Sequence, residues 1–157
     1  MTEGKITTVV CWVVCHATEN EESVAAAVRY VTGEKAAFES RKAEAHFHQP
    51  MKLIYARMRG EGALERIIST LGPEDREELL RTLEERIDDS NTLHFRLDKQ
   101  SCFLGSPRLS SKLDERTRRE HDSIEVEVRA ATYPGSRENA VKFIYGVLHD
   151  LNARGQG

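Results

Sequence analysis

Two stretches of the chain alternate so cleanly between apolar and polar residues that they fix much of the architecture. In TLHFRLD (92–98), Leu93, Phe95 and Leu97 fall on one face, and His94, Arg96 and Asp98 on the other. In SIEVEVRA (123–130), Ile124, Val126, Val128 and Ala130 share a face in the same way. A period of two is that of a β-strand. One apolar and one polar face per strand predicts an antiparallel sheet covered on one side only. ITTVVCWVVCHA (6–17) is β-branched and apolar on both faces, as a buried central strand is.

Caps and apolar stripes give the other elements. TENEESVAAAVRYVTG (18–33) reads as a helix, with Thr18 as its cap and Glu21 completing a capping box. Val24, Ala27, Val28 and Val31 form its stripe, and Gly33 fits its stop. Residues 36–45 read as a rather polar strand, HFHQP as a connection ended by Pro50, and MKLIYARMR (51–59) as a further strand. GEGALERIISTLG carries Leu64, Ile67, Ile68 and Leu71 on one side of a short helix. Pro73 opens the next helix, which is expected to run to about Ile87 with Leu79, Leu80, Leu83 and Ile87 inward. SRENAVKFIYGVLHDLNARG (136–155) is a last helix, capped by Ser136, with Val141, Ile144, Leu148 and Leu151 as its stripe. The expected fold is a single-domain α+β two-layer sandwich in the order β-α-β-β-α-α-β-β-α. Its sheet is mostly antiparallel, with helices on one face and the other face available to a partner.

A length of 157 residues suits one domain, and 39% hydrophobic with 31% charged residues suits a soluble globular one. There is no apolar run of membrane-spanning length and no signal-peptide layout at the N-terminus. Cys11 and Cys15 stand four apart on a strand, roughly 13 Å, too far for a disulfide. With Cys102 they read as reduced thiols of a cytosolic protein.

The formal charge of -3 does not mark the whole chain as a nucleic-acid binder, but the charge is unevenly placed. Residues 60–89 hold ten acids and four bases, whereas residues 96–119 hold seven bases and three acids. The bland reading of both runs is a solvated face. SPRLSSKLDERTRRE (106–120), poor in apolar residues, reads as an exposed hairpin loop.

Among candidate chemistries, no phosphate loop, nucleophile elbow or HExxH occurs. Cys15, His16, His46 and His48 are zinc-type ligands at poor spacing, equally explained as polar strand ends. A nuclease would need clustered carboxylates around a divalent metal, and no convincing set assembles. Trp12 and Phe95 are assigned to the core, and an aromatic content of 6% argues against a stacking platform for single strands. Structured RNA, held through backbone and 2′-hydroxyls, needs fewer aromatics.

Three stretches in order, CHATENEESV (15–24), RLDKQ (96–100) and YPGSRENAV (133–141), resemble an archaeal family of small RNA-binding proteins described as exosome-associated subunits. The resemblance spans about residues 6–151. It implies a fold similar to double-stranded-RNA-binding domains and to the ribosomal protein that contacts 5S RNA. It also implies RNA binding without catalysis and with no cofactor. One departure is AHFHQP, where the family tends to GHFGNP; Ala45 and His48 replace the glycines.

Residues and resemblance together predict a cytoplasmic binder of structured RNA. Its site is Arg96, Lys99, Gln100, Arg108, Lys112, Arg116, Arg118 and Arg119, with Arg137 and Lys142 in the last helix as weaker members. Asp98 either orients this rim or merely caps backbone N–H groups. The acidic 74–89 face is expected to turn away from RNA, towards a basic protein. The alternative is an adaptor of an RNA-processing complex with no RNA contact of its own.

Overall fold

The structure, a computed structural model, describes residues 3–44, 50–110 and 123–155. Its elements run β1 (Glu3–His16), α1 (Glu21–Thr32), β2 (Ala37–Glu44), β3 (Pro50–Arg59), α2 (Glu61–Ser69), α3 (Pro73–Arg81), α4 (Leu83–Arg86), β4 (Thr92–Asp98), α5 (Lys99–Phe103), β5 (Ser123–Tyr133) and α6 (Arg137–Gly155). The strands form one sheet in the order β2-β3-β1-β5-β4, with every pairing antiparallel. This is the expected α+β sandwich, with β1 at its centre.

Residues paired in register share a face. Val9, Cys11 and Val13 of β1 pair with Met58, Ala56 and Ile54 on one side, and Val9 and Cys11 with Val128 and Val126 on the other. Leu93, Phe95 and Leu97 complete that face from β4. Against it lie Val24, Val28 and Val31 of α1, Leu64 and Ile67 of α2, Leu79, Leu83, and Ile144 and Leu148 of α6, all buried. Among the described residues, the helices therefore cover one face and leave the other without a helical layer.

Local departures from the sequence reading have physical causes. The cap of α1 is Asn20, not Thr18: its Oδ1 accepts from the Ser23 N–H at 3.0 Å. The expected helix from Pro73 to Ile87 is divided at Thr82. The Thr82 hydroxyl donates back to the Glu78 carbonyl at 2.8 Å and accepts from Arg86 Nε at 2.8 Å, a back-bond that bends helices. β1 starts three residues earlier than expected, across a bulge between Ile6 and Thr8. There the Thr7 hydroxyl reaches the Arg129 carbonyl at 3.2 Å. The short α5 was not expected at all.

Gly4 faces α6, and a Cβ placed there would lie 2.8 Å from Phe143 Cγ. Crowding a packed ring in this way costs about 1 kcal/mol or more. Gly4→Ala is expected to lower the thermal midpoint by roughly 2–4 °C at this chain length. An unchanged midpoint would show that Phe143 yields freely.

Candidate nucleic-acid interface

The rim after β4 is built as a structural joint. Asp98 caps α5, its Oδ2 accepting from the Ser101 N–H at 2.9 Å. The Ser101 hydroxyl donates to the Asp98 carbonyl at 2.7 Å and accepts from the Arg108 N–H at 2.9 Å. Lys99 turns inward and is only 4% exposed. Its Nζ donates to the Val14 carbonyl at 2.8 Å and to Glu19 Oε1 at 2.7 Å. Glu19 Oε1 also accepts from the His16 N–H at 3.0 Å. Burial pushes the Glu19 carboxyl up, but the hydrogen bonds from Lys99 and His16 and the Lys99 charge outweigh it and hold it below its ordinary value. CHATENE and LDKQ thus meet through one buried ion pair that ties the end of β1 to the end of β4.

The other sequence-selected bases among the described residues also have partners. Arg96 pairs with Glu125 at 2.6 Å across the strands. Arg108 Nε donates to Asp75 Oδ2 at 2.9 Å, and the Leu109 N–H reaches the same oxygen at 3.1 Å. The start of the basic run is therefore stitched to the acidic helix α3 rather than set apart from it. Arg137 donates to the Ile87 and Glu84 carbonyls, closing the C-terminal end of α4. Lys142 pairs with Glu138 one helical turn away at 3.2 Å. Gln100 is exposed. Lys112, Arg116, Arg118 and Arg119 lie outside the described residues, as do Ala45, His46, Phe47 and His48 of the AHFHQP connection. The 111–122 segment leaves from Ser110, whose N–H reaches the Arg96 carbonyl at 2.9 Å, and returns at Ser123, paired with Asp98.

Reactive chemistry finds little support among the described residues. No group of three or more His, Cys, Asp or Glu is placed to hold a metal there. Burial pushes the Cys102 thiol up to about 12 and the Cys11 thiol higher still, so both stay protonated. His94 Nε2 lies 2.7 Å from Asp88 Oδ2 in a shallow hollow of about 450 Å³. The residues lining that hollow supply no hydroxyl, thiol or amine for the pair to activate.

The uncovered sheet face carries a different set of cations. In one cross-strand row Thr8 pairs with Arg59 of β3 and Arg129 of β5. Neighbouring strands are about 4.8 Å apart, so these arginines leave the sheet about 10 Å from one another. In the next row Val10 pairs with Arg57 and with Glu127. Trp12 follows, between Tyr55 and Glu125, and then Val14 beside Leu53, which pairs with Arg41 of β2. Arg57, Arg59 and Arg129 are exposed and make no ion pair with a described residue. Arg41 is held by Glu39 at 2.8 Å and lies 5.4 Å from the centre of the Tyr55 ring. The β4 side of the face is closed down: Thr92, Ser123 and Glu125 are buried. The accessible part is the β3–β1 half with Arg129 at its border.

Trp12 is thus on the uncovered face, half-buried, and not in the helix-covered core to which its apolar neighbours assign it. The arginine set was missed because Arg57 and Arg59 are 70 or more positions from Arg129 in sequence and meet only through register. One part was readable: Tyr55, Arg57 and Arg59 recur at a period of two in YARMR.

A sheet clad with helices on one side and bearing exposed arginines on the other suits a small nucleic-acid-binding α+β protein. A family model described as RNA binding matches residues 8–130, and the chain belongs to that family. RNA-binding protein PAB1135 of Pyrococcus abyssi is 28% identical over 138 residues, which cover 82% of this chain and 84% of that one. Two solved structures share the fold. Protein AF2318 from Archaeoglobus fulgidus is 33% identical, covers 91% of this chain and 99% of its own, and superposes with a TM-score of 0.75. Mth689, a DUF54 protein from Methanothermobacter thermautotrophicus, is 27% identical, with coverages of 92% and 98% and a TM-score of 0.70.

Proposed function

We propose that the protein binds structured RNA across the uncovered half of its sheet, by phosphate contacts from Arg57, Arg59 and Arg129. The observation that carries this reading is the exposure of three guanidinium groups on one face, none in ion-pair contact with a described carboxylate, although the Arg57 charge also acts on Glu39 of β2. A guanidinium matches a phosphate with two parallel hydrogen bonds and keeps its charge at any physiological pH. Formal net charge matters less than this local field. Lys112, Arg116, Arg118 and Arg119 belong to the proposal as further contacts, because their segment starts and ends at the β4–β5 rim. Arg96, Gln100, Arg108 and Lys142 flank it as secondary contacts, Arg96, Arg108 and Lys142 needing release from their carboxylates. Lys99 and Arg137 serve the fold instead. The role is binding rather than catalysis, in the cytoplasm.

Association with the exosome or another RNA-processing assembly is a further part of the reading, and the acidic surface of α3 and α4 suits a basic protein there. In the alternative, that contact is the whole function. Binding to a pool of structured RNAs separates the two. Reversing Arg57, Arg59 and Arg129 to Glu is expected to abolish binding at low salt, while Arg81→Glu with Arg154→Glu leaves it intact. Equal binding by both variants would remove this face from the site. No binding by the unmodified protein would leave the adaptor.

A further inference from the structure

The centre of the uncovered face carries an aromatic pair, flanked in its own row by Glu39 beyond Tyr55 and Glu125 beyond Trp12, each carboxylate held by an arginine. Trp12 and Tyr55 are paired in register across β1 and β3, with ring centres 6.4 Å apart and planes 33° from parallel. Both are half-buried, so part of each ring meets solvent. Val10 and Leu53 border them on the same face, and the Arg41 guanidinium lies against Tyr55. Arg57 stands one same-face position from Tyr55, and Arg59 two. Same-face positions rise about 6.8 Å along a strand, so the arginines lie about 7 and 14 Å from the aromatic row.

A continuous RNA duplex has little use for such a patch. Its base faces are stacked inside the helix, and it presents phosphates, 2′-hydroxyls and base edges outward. An unstacked nucleotide has a free π-face, which aromatic rings and guanidinium planes receive without regard to base identity. We propose that the Trp12–Tyr55 row receives an unpaired base, so that the RNA recognised is a structured one with a loop or bulge at the contact point. The flanking phosphates then reach Arg57, Arg59 and Arg129. This rests on the RNA-binding reading of the same face and specifies its ligand. The low aromatic content argues only about number; the two rings that matter are placed together.

A cross-strand aromatic pair also stabilises a sheet, and the test separates that role from stacking. Trp12 is the chain's single tryptophan, so its emission reports this row alone. A hairpin RNA with an unpaired loop and a fully paired duplex of equal length are titrated against the unmodified protein. The hairpin is expected to quench Trp12 and to bind on the order of ten-fold more tightly than the duplex. Tyr55→Leu is expected to lower hairpin affinity more than duplex affinity and so to shrink that preference, and Tyr55→Phe to keep it. Equal affinities with unchanged Trp12 emission, both still lost on reversing Arg57, Arg59 and Arg129, would overturn the stacking proposal and leave the arginine face standing. If the reversals affect neither RNA, both readings fall. The quenching comparison needs no variant, so misfolding of Tyr55→Leu cannot obscure it.

Discussion

Replacing Lys99 by Met is expected to remove about 3 kcal/mol of stability, the lower end of the range for deleting one partner of a buried ion pair. At this chain length that is a drop of roughly 6–12 °C in the thermal midpoint. The loss arises because Glu19 keeps its charge in a partly buried site after its main partner has gone. The Val14 carbonyl also loses its donor. The lower end applies because the Glu19 side chain is still 26% exposed and water can approach it. The double variant Lys99→Met with Glu19→Gln is expected to recover part of the loss, since no charge is then stranded. A single variant within about 1 kcal/mol of the unmodified protein would show that the pair is solvated and marginal.

The same pair predicts an acid response. The Glu19 carboxyl is held below the value of 4.5 that it has in an open chain. Its stabilising contribution is therefore complete above that pH and is lost as pH falls through the lower, folded value. Glu19→Gln should cost most stability near neutrality, and its gap from the unmodified protein should narrow below about pH 4.5. A gap that stays constant down to pH 3 would mean that Lys99 does not hold this carboxylate.

These effects bear on what the sequence makes visible. The period of two in 92–98 and 123–130 determined which residues face the helices, because a slip of one position would turn every apolar side chain to water. Leu93, Phe95, Leu97, Ile124, Val126 and Val128 are all buried as that alternation requires. Caps and charges were less legible because their partners are distant. Glu19 stands beside the cap of α1 but serves Lys99, 80 positions away, leaving Asn20 to cap the helix. Arg137 looks like a free base at a helix start, yet it closes α4, 50 positions earlier. A linear charge count treats every base as available. The fold decides otherwise: burial against the Val14 carbonyl and Glu19 withdraws Lys99, and the sheet register brings Arg57, Arg59 and Arg129 together around Thr8 and Val10. The LDKQ stretch then has a structural role: Asp98 caps one helix and Lys99 ties two strand ends.

The arginine face makes a quantitative demand on salt dependence. Each phosphate neutralised contributes about 0.9 to the slope of log affinity against log salt for a duplex, and about 0.7 for single strands. These three contacts alone therefore contribute roughly -2 to -3 to the slope, a loss on the order of 20- to 40-fold between 50 and 200 mM salt, and any contact from the 112–119 bases adds to it. Neutralising Arg57, Arg59 or Arg129 singly to Gln should flatten the slope by about 0.7–0.9 each time, and the triple variant by about 2–3. This differs from a general loss of fold, which would lower the active fraction and leave the slope of the remainder unchanged. Gln also keeps a polar side chain at an exposed strand position, so the sheet itself should not suffer. Slopes equal to that of the unmodified protein in all three single variants would mean that the RNA phosphates lie elsewhere, with the bases between 112 and 119 the next to neutralise. A flattening confined to Arg57 and Arg59 would narrow the track to the β3 side, beside Tyr55, and detach Arg129 from it.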